Sequence, residues 1–260
     1  MIVNQGRLAI KPNLLILGGT LEATALCNRL ATLDVDATLS LAGRVDRPKR
    51  QPLPMRVGGF GGPDGLVTAL RDMGITHVID ATHPFASQMS RNAVAACSAA
   101  EVPLVALVRA PWTSQPGDRW QHVPDIAGAV AALDQPAMTV MLAVGRMHLA
   151  EFAPNPQHQY LLRLVDPPKD PLPFPKATVL VDRGPFTADG DQALMEQHAI
   201  DLVVSKNAGG AGAIAKITAA RALGLPVILI DRPEMPQRAE VGSVDAVLGW
   251  LRDHGADLGV

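Results

Sequence analysis

The sequence predicts an α/β protein of two similar domains, each a parallel sheet flanked by helices. Three observations lead there. Short apolar runs alternate with Ala-rich helical stretches from residue 14 almost to the C-terminus, the rhythm of βαβ units. Glycine turns stand where strands pass into helices. The stretch 75–109 also resembles 200–232: each runs strand, polar loop, Ala-rich helix, then a Pro-led apolar strand, with Pro103 matching Pro226 and Arg109 matching Arg232. In that register Thr82 matches Ser205 and His83 matches Lys206.

The elements follow in order. Residues 14–17 are an unbroken apolar run, a strand buried on both faces, and Gly18-Gly19-Thr20 turns it into a helix over 20–33. Strand 37–41 leads to a Pro- and Arg-rich loop at 44–54. A short strand at 55–57 ends in Gly-Gly-Phe-Gly-Gly, and Pro63 opens a helix over 63–73. Strand 77–79, helix 86–100, strand 104–108 and helix 126–133 complete the first half. The second half reads as strands at 139–143, 160–165, 179–181, 202–204 and 227–230, with helices at 187–198, 210–223 and 244–252. Seven prolines between 154 and 175 make that stretch connecting loop, read as the rim of a cleft. The expected domains are 1–112 and 113–260, with the last helix packing back on the first domain. Facing carboxyl ends of the two sheets would form the cleft.

Composition removes several functions. Hydrophobic residues are 48%, charged residues 18%, net charge −2, so the chain is globular and lacks the basic field that draws nucleic acid or anionic membrane. With aromatics at 3%, a stacking platform for single strands is unexpected. Cys27 and Cys97 stand far apart in helical stretches, as small buried apolar residues rather than metal ligands or a disulfide framework. No apolar run reaches membrane-spanning length and the N-terminus lacks a signal-peptide pattern, so a cytoplasmic protein without a metal is expected. Neither His-Glu-x-x-His nor Gly-x-Ser-x-Gly occurs, and no lysine stands four residues after the single tyrosine, Tyr160.

Four segments carry candidate chemistry. In 14–23, Gly18 and Ala23 fit the outer positions of a dinucleotide fingerprint, with Thr20 at the middle glycine's place and able to offer a hydroxyl to phosphate. The second strand ends Ser40-Leu-Ala-Gly43-Arg44, with an arginine where NAD sites place an acid, which favours NADPH through the 2′-phosphate. In Asp80-Ala-Thr82-His83-Pro84, the proline keeps His83 out of a helix, so the imidazole projects from a loop. Ser205-Lys206-Asn207-Ala-Gly-Gly210 is a second glycine-rich anion loop. Each segment also admits a plain structural reading: a strand-to-helix turn for 14–23, the start of a basic surface loop for Arg44, a helix-entry loop for 80–84 and a glycine-rich turn with an exposed lysine for 205–210.

Together with 56–62, Gly145-Arg146 and 184–186, these motifs run in order over nearly the whole chain and resemble the precorrin-6A (precorrin-6x) reductase family of cobalamin biosynthesis. One departure is Ala208, where a serine is expected. The resemblance implies two Rossmann-like domains and NADPH-dependent reduction of one carbon–carbon double bond in precorrin-6A, giving precorrin-6B. It implies cofactor contacts at Gly18, Gly19, Thr20, Glu22, Ser40, Gly43, Arg44, Gly59, Thr82, His83, Asn207 and Gly210. His83 is the candidate proton donor and Lys206 a second catalytic candidate. Arg91, Arg109, Arg146, Lys206 and Arg232 are candidates for the substrate's carboxylates. A monomer acting on a small molecule is expected. The alternatives are a tetrapyrrole enzyme without a dinucleotide, a reductase of the cobalt-bearing substrate, and a non-catalytic nucleotide sensor.

Overall fold

The computed structural model describes residues 11–43 and 48–259. They form two parallel six-stranded sheets covered by helices, the α/β architecture expected. The chain divides into two compact units, Met1–Arg109 with Glu234–Val260, and Ala110–Pro233. The division therefore has two crossings where the sequence reading placed a single cut at 112/113, because the C-terminal segment supplies both a strand and a helix to the first unit.

Numbered in chain order, the first unit holds β1 (Asn13–Leu17), β2 (Asp36–Leu41), β3 (Met55–Val57), β4 (His77–Asp80), β5 (Leu104–Leu107) and β12 (Ala239–Val241). Their order in the sheet is β12-β5-β4-β1-β2-β3. Leu14 and Ile16 of β1 join one apolar cluster with α1 (Leu21–Leu30) and α7 (Val244–Asp253). Leu15 and Leu17 join another with α2 (Gly62–Asp72) and α3 (Ser87–Ala100). Alternate side chains point to opposite faces of a strand, so a sheet covered on both faces needs the uninterrupted apolar run seen in the sequence.

The second unit holds β6 (Arg119–Val123), β7 (Thr139–Ala143), β8 (Gln159–Leu164), β9 (Ala177–Val181), β10 (Leu202–Lys206) and β11 (Pro226–Ile230), ordered β6-β11-β10-β7-β8-β9. Its helices are α4 (Ile126–Ala132), α5 (Ala188–Gln197) and α6 (Ala215–Ala222). Both sheets have the same 3-2-1-4-5-6 arrangement, and in each the sixth strand is exchanged. β6–α4 follow β5 in the chain yet complete the second sheet, while β12–α7 follow β11 and complete the first. Neither β6 nor β12 was anticipated, because both are edge strands with mostly exposed residues and no apolar run.

Three further points revise sequence expectations. The helix read over 210–223 begins only at Ala215, since Gly209 and Gly210 both hold positive φ. The ladders set Asp80 beside Ala106 and Ser205 beside Leu229. With Arg109 matched to Arg232, Asp80 then matches Ser205, so the pairing of Thr82 with Ser205 and His83 with Lys206 is two residues out. Tyr160 is fully buried, donating its hydroxyl to the Asn155 carbonyl at 2.9 Å, and burial pushes its pKa up to about 12. Both cysteines are free and buried; burial raises Cys27 to about 11 and Cys97 to about 12, the latter with help from the Asp80 carboxylate. No helix among the described residues is long and apolar enough to cross a membrane.

Candidate functional site at the carboxyl edges of the sheets

In the first unit, β1 lies between β2 and β4, where the direction of winding reverses. Ligands of open parallel sheets bind beyond the strand carboxyl ends at such a reversal. The turn Gly18–Thr20 stands there. Gly18 packs rather than opens: a Cβ on it would sit 2.5 Å from Leu39 Cδ1 and 3.2 Å from Ala23 Cβ. Gly19 is the open position, with φ +119° and nothing within 4 Å of where a Cβ would be. That backbone needs glycine, and the space beside it fits a phosphate at the start of α1, whose first-turn N–H groups lack intrahelical acceptors.

Thr20 has a different task from the one expected of its hydroxyl. Oγ1 accepts from the Ala23 N–H at 3.1 Å, capping α1, and donates to the Ala81 carbonyl at 2.8 Å. Its one hydrogen is committed to tying the turn to the end of β4. Any ligand contact from Thr20 runs through its backbone. Glu22, in the first turn of α1, accepts from Arg109 Nη1 at 2.7 Å. Arg109 thus offsets a carboxylate beside the Gly18–Thr20 turn, where an unpaired negative charge would repel any anion.

At the ends of β2 and β3, Ser40 and Arg56 are register neighbours. Arg56 Nη1 donates to Ser40 Oγ at 2.8 Å and to the Gly58 carbonyl at 3.2 Å, and Nη2 donates to the Gly59 carbonyl at 3.1 Å. Its guanidinium lies 3.8 Å from the centre of the Phe60 ring. Gly43, at φ +72°, closes the described part of this loop, and Arg44 lies outside the described residues. Sequence reading missed Arg56 as a site residue. The signal was present as an arginine in a short strand, two residues before Gly58-Gly59.

The loop after β4 is organised by Asp80, which is 2% exposed. Its carboxylate accepts from Thr82 N at 3.1 Å, Thr82 Oγ1 at 2.6 Å, Ser90 Oγ at 2.6 Å and Arg238 Nη1 at 2.7 Å. This fixes Thr82 and aims the chain into His83-Pro84. His83 is half-buried, and its Nδ1 accepts from the Phe85 N–H at 3.2 Å, which assigns the proton of the neutral ring to Nε2. Asp80 lay within a motif quoted from the sequence, but no local signal marked Arg238, which comes from the C-terminal segment.

In the second unit the carboxyl edge carries Arg146 after β7, Lys206 ending β10, and Arg232 after β11. Arg232 turns its guanidinium to main chain: Nε donates to the Asn207 carbonyl at 3.0 Å and Nη2 to the Ala208 carbonyl at 3.1 Å. Asn207 was expected to touch the cofactor. Instead it is 5% exposed, with Oδ1 accepting from Trp112 N at 2.8 Å and Nδ2 donating to Trp112 O at 3.1 Å. The Gly210 carbonyl accepts from Trp112 Nε1 at 2.8 Å, so this loop is held by Trp112 and Arg232 together. Ala208 lies in the apolar cluster, consistent with a small residue keeping the loop. Arg91, exposed on α3 of the first unit, donates to the Glu234 carbonyl at 2.7 Å.

Residues 13–252 match the family described as "Precorrin-6x reductase CbiJ/CobK". A "Precorrin-6A reductase" of Rhodobacter capsulatus is 59% identical over 243 residues, covering 94% of this chain and 97% of the relative. One from a Sinorhizobium species is 44% identical over 93% of this chain and 94% of its own. A "Cobalt-precorrin-6A reductase" of Priestia megaterium is 28% identical over 85% of this chain and 91% of its own. A solved structure described as "CobK precorrin-6A reductase" superposes with a TM-score of 0.93 at 58% identity, covering 96% of this chain and all of that one.

Proposed function

Because the chain belongs to the precorrin-6x reductase family, a family of reductases in cobalamin biosynthesis, we propose that it reduces one carbon–carbon double bond of precorrin-6A with NADPH, giving precorrin-6B. The observation that carries the cofactor part is the open Gly19 turn, at the start of α1 and at the winding reversal of the first sheet. The pyrophosphate is assigned to Gly18–Thr20, and the adenosine 2′-phosphate to the ends of β2 and β3, near Ser40, Gly43, Gly59 and Arg44. The metal-free substrate is favoured by the higher identity to relatives named for it, 59% and 44%, than to the cobalt-named relative, 28%.

NADPH would supply the hydride to one carbon of the double bond. The protein's part is to position the reactants and deliver a proton to the neighbouring carbon. His83 is assigned the second task at Nε2, the ring nitrogen that the Phe85 N–H does not occupy; the ring must first gain a proton at Nδ1, releasing the Phe85 hydrogen bond, so that loss of the Nε2 proton leaves a neutral imidazole. Thr82, fixed by Asp80, sets the approach of that loop. Arg91, Arg109, Arg146, Lys206 and Arg232 are assigned to the substrate's several carboxylates, with Arg109 acting beside its Glu22 pair and Arg232 partly through the loop it braces.

The test is to supply purified protein with precorrin-6A. NADPH absorbance should fall in step with the change in the macrocycle spectrum, and NADH should serve poorly. Consumption of NADPH without substrate, or none with it, removes this reading. Gly19→Val is expected to raise the NADPH dissociation constant roughly tenfold or more, equivalent to about 1.4 kcal/mol or more, because the side chain enters the phosphate space. Calorimetric titration checks this; unchanged affinity would move the pyrophosphate elsewhere.

A further inference from the structure

We infer that Arg56, working from Ser40, is the residue that selects a 2′-phosphorylated dinucleotide. The inference rests on the NADPH reading above and adds to it a specificity residue that the strand-end loop at Arg44 did not disclose.

Position comes first. Arg56 pairs in register with Ser40 across β2 and β3, at the carboxyl edge of the sheet. In this sheet order the end of the second strand is where the adenosine ribose lies, and an acid there would select the unphosphorylated hydroxyl. Ser40 stands at that end, and its oxygen takes a hydrogen bond from Arg56.

Charge comes second. The other arginines bound near this edge are neutralised: Arg109 by Glu22, Arg238 by Asp80 and Glu240. Among the described residues, Arg56 instead meets only neutral acceptors, the Ser40 hydroxyl and the carbonyls of Gly58 and Gly59. Its full positive charge therefore remains for an anion.

Preorganisation comes third. The guanidinium is laid against Phe60 and fixed by three hydrogen bonds, so little rotamer freedom is left to lose on binding. Gly59 offers no side chain beside it, and a Cβ there would meet nothing within 4 Å. A dianionic phosphate can take charge-assisted hydrogen bonds from both Arg56 and the Ser40 hydroxyl, whose hydrogen is not used by the arginine.

The experiment is calorimetric titration of the full chain, and of Arg56→Gln and Arg56→Lys, with NADPH, NADH, 2′,5′-ADP and 5′-ADP. Arg56→Gln should weaken NADPH and 2′,5′-ADP by roughly 10- to 100-fold, as for a lost charged hydrogen bond. It should leave NADH and 5′-ADP within about twofold. Arg56→Lys keeps a charge without the fork, and the NADPH preference should fall to an intermediate value. Should the Gln variant not fold, the Lys variant alone decides. Equal weakening of all four ligands would make Arg56 a brace for the glycine loop and overturn the inference, as would an unchanged preference in either folded variant. If the unaltered chain binds NADH and 5′-ADP as well as their phosphorylated forms, NADPH selectivity itself falls. If it binds none of the four, the dinucleotide reading falls and this assignment with it.

Discussion

A chain ended at Pro233 is expected to lose the fold of its first unit. The deletion removes β12 from the edge of the sheet and α7 from the face it shares with α1. Val247, Leu248 and Leu251 are buried in that face, and each contributes about 1.5–3 kcal/mol when fully covered. Their joint loss is comparable to the whole stability of a domain, about 5–15 kcal/mol. The truncated protein should be recovered aggregated or protease-sensitive across 11–109, with no NADPH binding. The complementary experiment joins residues 1–109 directly to 234–260 through a short flexible linker. Since these segments share one complete sheet and the apolar clusters on its two faces, the fusion should unfold as a single cooperative unit. A Pro233 truncation that melts with the full chain's cooperativity would show that the exchanged segment is dispensable.

The second large effect is expected at Asp80. Asp80→Ala strips a buried carboxylate from Arg238, whose side chain is only 8% exposed, and leaves Glu240 as its remaining partner in that cluster. Breaking one side of a buried pair costs about 3–5 kcal/mol when the other charge is left uncompensated, and the half-exposed Glu240 offsets Arg238 only in part, so the loss should fall toward the lower end. Thr82 loses both its backbone and hydroxyl partner in the same step, and Ser90 loses its acceptor. Urea unfolding should show the midpoint falling at unchanged slope, and turnover should fall further than stability alone predicts because the His83 loop is released. Asp80→Asn retains the shape but turns an amide N–H₂ toward one of its donors, so it should lie between. Combining it with Arg238→Met should recover part of the loss, since the neutral pair no longer strands a charge. Independent, additive losses in that double variant would deny the coupling.

The limits of sequence reading lie in the same places. Continuous apolar runs such as 14–17 and 227–230 identified buried parallel strands, because a sheet covered on both faces imposes that pattern locally. The Gly18–Thr20 turn, the His83-Pro84 loop and Lys206 were legible for a similar reason: glycine and proline restrict or free φ at their own positions. Arg56 was in plain view, but its relation to Ser40 depends on a β2–β3 pairing across a loop that carries no register signal. Thr20 was read as a phosphate contact from its place in the glycine turn, and Asn207 as a cleft residue from the family resemblance. Their hydrogen bonds go to Ala81 and Trp112, partners far along the chain.

The sequence alone therefore determined the class of fold and the place of the Gly18–Thr20 turn, since both follow from periodicity and backbone restriction within a few residues, while the ordered motifs carried the resemblance to one family. Tertiary structure decided which sheet receives β6 and β12, which arginines are neutralised, and which polar side chains are consumed in bracing loops. Those outcomes depend on the pairing of residues far apart along the chain. Edge strands as short and exposed as Ala239–Val241 carry no apolar run to announce where they will dock.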